Sequence, residues 1–179
     1  MERSKARESI ITTAAKLLYK QGYSNTGINQ IIGEANIAKS TLYQHFRSKE
    51  DLLIVYLNET GETTINALKQ ASKNGLTAIE KILSIFNYLE ELVASPDFYG
   101  CHFLNIVYEM PNGDERVRVQ VKKQKDAVRA LFCSILASPD KLDLADEIYT
   151  LFEGALIAHK IHNSTWPIVS AKNMIRRII

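Results

Sequence analysis

Seven side chains in one short stretch carry hydrogen-bonding, aromatic or cationic groups: Lys39, Ser40, Thr41, Tyr43, Gln44, His45 and, just downstream, Lys49. Amides, hydroxyls and imidazoles pair with base edges in a major groove, and ammonium groups and phenols meet phosphates. The same groups also suit a plain solvated helix face. Their spacing adds information. Leu42 and Phe46 stand one helical turn apart among them, so the polar residues share the outward side of a short helix. Ser48-Lys-Glu-Asp51 follows, a hydroxyl cap with acids in the first turn of the next helix. That helix start offers backbone amides and Lys49 to a phosphate.

Other reactive residue types do not assemble. Cys101 and His102 suggest a thiol with a base, but neighbours on a helix diverge, and a buried structural cysteine is the commoner outcome. His159 and His162 have a metal-ligand spacing without an evident third ligand. No nucleophile beside a base is readable elsewhere. The expectation is therefore no catalytic residue, no metal, no cofactor and no enzyme.

The elements that must position the polar stretch are all helical. Ile10, Ala14, Leu17 and Leu18 form one helix face, which Gly22 ends. Ile28, Ile31 and Ile32 mark a short second helix, and Leu42 and Phe46 a short third. Thr26 is of the type that caps the second, and Asn36 tolerates the positive φ of a tight turn. Ile31, Ile37, Leu42 and Phe46 supply a small core. Short helix, turn and short helix together make a helix-turn-helix. A fourth helix runs from Leu52 to about Ser72. Ile79 to Val93, Val117 to Ile135, Ile148 to Ala158 and Ile168 to Ile179 continue the helical period. Pro96, Pro111, Pro139 and Pro167 fall between these segments. Strand alternation is nowhere sustained. The fold class is all-α with eight or nine helices: a three-helix helix-turn-helix head over residues 1–48 and a larger helical body over 49–179.

Composition agrees with a globular chain. It has 179 residues, 46% of them hydrophobic, and only two cysteines, too few for a disulfide framework. The charged start lacks the apolar stretch of a secretory signal, and no apolar run is long enough for a bilayer. These features point to the cytoplasm. Residues 1–56 hold eight basic and five acidic side chains, whereas the rest holds 14 and 15. The first third thus carries the excess that a polyanion would meet, although the imbalance is modest.

Leu42-Tyr-Gln-His-Phe-Arg-Ser-Lys-Glu-Asp-Leu-Leu53 resembles the signature of the TetR family of transcriptional regulators. Gly22-Tyr-Ser-Asn-Thr26 and Ile31-Ile-Gly-Glu-Ala-Asn-Ile-Ala-Lys-Ser-Thr41 are similar to its upstream parts, so the resemblance covers residues 5–56. It implies a third helix entering the major groove with Lys39, Ser40, Thr41, Tyr43, Gln44 and His45 on it. Thr26 is also expected to face the DNA, and Tyr43 and Lys49 are expected as phosphate contacts. Gly27 stands where the family often has a hydroxyl, Ala38 where it often has a capping Ser, and Asn36 where it usually has Gly.

The resemblance also implies a body that dimerises through its last two helices and holds a ligand pocket. Phe86, Tyr88, Phe103, Tyr108, Phe152 and His159 are the expected lining, although any single aromatic residue is more often plain core. Gly154, Ala155 and Ala158 suit a close helix approach, either at a dimer seam or within one chain. Arg176-Arg-Ile-Ile179 ends in an apolar pair, which fits a longer last helix or a tip packed on a partner. The expected function is a ligand-responsive transcriptional regulator, a repressor by preference. It binds a palindromic operator in double-stranded DNA as a homodimer and is released by a small-molecule effector. A DNA-binding scaffold without an effector is the rival reading.

Overall fold

The computed structural model describes residues 2–110, 115–137 and 142–179, with side chains from residue 5. Pro111 and Pro139 lie outside the described residues. Among those described there are nine helices and no strand. They are α1 (Glu2–Gln21), α2 (Ile28–Glu34), α3 (Lys39–His45), α4 (Lys49–Ser72) and α5 (Ala78–Val93). α6 (His102–Glu109), α7 (Glu115–Leu136), α8 (Leu142–His162) and α9 (Trp166–Ile178) complete the set. Pro96 sits in the turn after α5, and Pro167 opens the first turn of α9. The chain packs as two compact units, Met1–Gly61 with His102–Val121, and Glu62–Cys101 with Lys122–Ile179.

In the first unit, α1 turns Ile10, Ala14, Leu17 and Leu18 onto one buried stripe. Ile31 of α2 and Leu42 of α3 are fully buried in the same unit, and Phe46 is nearly so. Each such side chain withdrawn from water stabilises the fold by about 2 kcal/mol. Ile37, expected beside them, is only half-buried. Gly22 closes α1 with φ +87, and its N–H returns to the Leu18 carbonyl at 3.1 Å. L side chains rarely adopt that φ, so a substitution at position 22 is strained, and a Cβ there would in addition displace the end of the Glu109 side chain. His102, at the start of α6, stacks on Tyr19 with ring centroids 3.7 Å apart, and its Nδ1 is hydrogen-bonded to Tyr56 Oη. Burial pulls its pKa down to about 4, so the ring is neutral in the folded protein.

In the second unit, α5 begins with a capping box that the apolar period alone did not reveal. Thr77 Oγ1 accepts from the Glu80 N–H at 3.3 Å, and Glu80 Oε2 accepts from the Thr77 N–H at 2.9 Å. The α5 stripe of Ile82, Ile85, Phe86, Leu89 and Val93 is buried against α7, α8 and α9 side chains. Phe86, Phe132 and Phe152 meet at its centre with ring centroids 5.7 to 6.4 Å apart. α8 and α9 pack on each other after a turn in which Asn163 takes φ 47. α9 also packs on α5, where Lys172 Nζ meets Glu90 Oε2 at 2.6 Å. The small-residue stripe divides. Ala155 is 4% exposed and belongs to the intramolecular core, whereas Gly154 is exposed with open space where a Cβ would be.

Candidate nucleic-acid interface

The turn between α2 and α3 is built from backbone hydrogen bonds around one left-handed residue. Asn36 takes φ 52, its N–H meets the Gly33 carbonyl at 3.2 Å, and the Ile37 N–H meets that of Ile32 at 3.2 Å. Asn accepts this region at little cost, as its presence in the turn suggested. Ala38 then caps α3 in extended backbone with no side-chain bond, so the N-terminal amides of α3 lack the help a hydroxyl would give. At the other end the Phe46 N–H closes on the Leu42 carbonyl at 2.9 Å.

Leu42 and Phe46 anchor α3 from beneath, so the opposite side is free. Lys39, Ser40, Tyr43 and Gln44 are exposed, Tyr43 by 47%, and Thr41 is half-exposed. None of these five makes a side-chain hydrogen bond within the described residues. They therefore offer donors and acceptors that only solvent satisfies. His45 differs. It lies half-buried against Phe46, and its Nε2 is buried without a partner. Arg47, exposed just beyond α3, adds a cation that was not among the expected contacts.

Two expected contacts are corrected by their surroundings. Thr26 is fully buried, and its hydroxyl donates to the Gly22 carbonyl at 2.6 Å. The residue that caps α2 is Gly27, without a side-chain bond. Thr26 therefore ties the loop to the end of α1 and presents nothing to a phosphate. Lys49 turns inward. Its Nζ donates to the Tyr23 carbonyl and sits 3.9 Å over the Tyr23 ring. Burial pushes its pKa down, while the Glu109 carboxylate acts against that. Glu109 also accepts from the Ser24 N–H at 2.7 Å. The start of α4 is capped as expected, the Asp51 N–H meeting Ser48 Oγ at 3.0 Å. Its acids, Glu50 and Asp51, both pair with Arg116, at 2.9 and 2.8 Å. The hydrogen bond from Arg116, chief among several causes, holds the Asp51 carboxyl below its usual range.

The expected ligand lining disperses. Phe86 and Phe152 spend their rings on each other and on Phe132, which makes them core. His159 is 7% exposed, hydrogen-bonded through Nδ1 to the Ser164 carbonyl at 2.9 Å, with Phe98 at its edge. Phe103 is buried in the first unit, where Tyr108 is 69% exposed. Tyr88 lines a groove of about 580 Å³ in the second unit, with Ala67, Gln70, Asn74, Asn87 and Glu91 around it. Among the described residues no group of three His, Cys, Asp or Glu could hold a metal, and no helix is long and apolar enough to cross a membrane.

Residues 10–55 match the family model described as bacterial regulatory proteins, tetR family. An uncharacterized HTH-type transcriptional regulator of Bacillus subtilis, YxaF, is 36% identical over 81 residues, 45% of this chain and 42% of that relative. The HTH-type transcriptional repressor DhaR of a Mycobacterium strain is 22% identical over 94% of this chain and 89% of its own. A crystal structure of a TetR-family regulator from Streptomyces coelicolor superposes with TM-score 0.88 at 24% identity, covering 96% of this chain and 87% of that one. At that identity the superposition speaks for the fold. The head, over residues 10–55, matches the model of the tetR family of bacterial regulatory proteins, and the whole chain shares the all-α fold of the solved TetR-family regulator.

Proposed function

We propose that the protein is a ligand-responsive transcriptional repressor that binds a palindromic operator as a homodimer. The observation carrying this reading is the free face of α3. Lys39, Ser40, Thr41, Tyr43 and Gln44 stand unpaired on a helix held rigidly by Leu42 and Phe46. Polar groups held in one place, with no partner of their own, are what reading base edges requires. Tyr43 and Arg47 serve phosphates, and the half-buried His45 stands at the end of the same helix. Function divides at residue 48: residues 1–48 read DNA, and residues 49–179 dimerise and sense.

Dimerisation uses α8 and α9. Ile161, Trp166, Val169 and Met174 are apolar side chains at least 40% exposed there, and Gly154 allows close approach. Two subunits then set their α3 helices in successive major grooves, about 34–36 Å apart or somewhat more. An effector in the body acts by favouring a spacing that no longer fits, and no further than its differential affinity for the two states. The groove beside Tyr88 is the described place for it. Repression is preferred because a bound dimer excludes polymerase, and DhaR is named a repressor. FasR of Mycolicibacterium smegmatis, another relative, is named an activator.

The test is selection of bound duplexes from a random pool, with wild type beside Tyr43→Ala. We expect an enriched palindrome that Tyr43→Ala loses or binds about tenfold more weakly. Binding without any enriched sequence would sink the operator reading.

A further inference from the structure

In the second unit, α4 and α5 each turn one row of side chains toward the same groove. Ala67, Gln70, Ala71 and Asn74 come from α4, and Ser84, Asn87, Tyr88 and Glu91 from α5. The spacing in each row is i, i+3, i+4, i+7, which is one helix face. Where two helices close on each other, such a row carries apolar side chains. Here two alanines stand among carboxamides, a hydroxyl, a phenol and a carboxylate, and a groove of about 580 Å³ is left open. Sites for small molecules span about 300–1,000 Å³.

The chemistry of the lining selects its occupant. Gln70, Asn74, Asn87 and Glu91 are exposed, and Ser84 and Tyr88 are half-buried. None of the six has a side-chain hydrogen bond or ion pair within the described residues. Water satisfies such groups on any helix surface, but these converge on one concave volume from two helices. An apolar compound would find little apolar area to bury among them. No lining residue is a cation, so an anion would meet only the Glu91 carboxylate. Each carboxamide both donates and accepts, as each hydroxyl of a polyol does. The carboxylate only accepts, which suits an ammonium. The Tyr88 ring offers apolar contact to the C–H face of a sugar ring.

We propose that this groove binds polyhydroxylated compounds that carry an amine, amino sugars by class. The carboxamides of Gln70, Asn74 and Asn87 take the hydroxyls, Glu91 takes the ammonium, and Tyr88 packs against the ring. That occupancy alters duplex binding rests on the regulator reading above; occupancy itself does not.

The full chain is titrated calorimetrically at pH 6 and low salt with chitosan dimer, a disaccharide of glucosamine. Cellobiose, which has hydroxyls in place of both amines, is titrated beside it. Chitosan dimer is expected to bind about tenfold more tightly than cellobiose. Glu91→Gln should abolish that preference, and the Asn74→Ala, Asn87→Ala double variant should weaken both sugars about tenfold. All three positions are exposed, so the substitutions leave the fold intact. No heat with either sugar, equal affinities in the wild type, or binding that neither variant alters overturns the proposal. A mixed-sequence duplex at low salt is then titrated with and without chitosan dimer, and Glu91→Gln controls for simple screening of the DNA charge. Duplex affinity that changes in the wild type alone supports the sensing role. A change in both proteins, or in neither, overturns that role and leaves the site standing. The calorimetric readout is independent of whether the protein binds DNA at all.

Discussion

His102 shows how burial alone can make a side chain matter. Its ring is sandwiched by contacts with Tyr19 and Tyr56 and stays neutral, with a pKa of about 4 against 6.5 for a free histidine. Between those two values the unfolded chain binds a proton that the folded one does not. Stability from this group is therefore present above pH 6.5 and is lost as pH falls through 4, by about 3 kcal/mol in full. Urea unfolding at a series of pH values measures it. The wild type should weaken steadily from pH 6.5 to 4, and His102→Gln should flatten that part of the curve. An equal slope in the variant would show that other groups titrate there. Residue type alone also misled at two places. A Thr beside a helix start reads as a cap, but Thr26 is buried and bonds backward to Gly22, a fact set by the path of the loop. Lys49 reads as a phosphate contact, but a tyrosine 26 residues away captures it. Neither partner is announced by local spacing.

Helical elements were readable because their apolar spacing is physical cause as well as signal. The α5 stripe from Ile82 to Val93 is buried as its period demands, and Leu42 with Phe46 correctly fixed which side of α3 faces out. Aromatic type did not disclose which rings would pair, so Phe86 and Phe152 read as ligand lining although they pack on each other. α3 has a weakness of its own. Ala38 holds the extended N-cap backbone yet offers no oxygen. Ala38→Ser should add about 1 kcal/mol by satisfying an orphan amide. Denaturant unfolding checks this, and a shift toward lower stability would mean that the capping rotamer is blocked.

For the protein as a whole, the exposed apolar side chains of α8 and α9 are the most economical reason to expect a partner. Trp166 is 53% and Ile161 72% exposed, a poor arrangement for a lone chain in water. Sedimentation should give a dimer for the wild type and a monomer for the Ile161→Asp, Met174→Asp double variant. A dimer that survives both changes would place the seam elsewhere. The inward turn of Lys49 also bears on how the protein responds to ionic strength. A lysine bonded to a carbonyl and laid over an aromatic ring displaces no counterion from a DNA backbone. Each phosphate neutralised adds about 0.9 to the steepness with which affinity falls with salt. In the proposed DNA-bound dimer, a head that keeps this cation for its own loop gives up one such increment per subunit, and the proposed grip on a duplex leans that much more on neutral donors that salt does not screen.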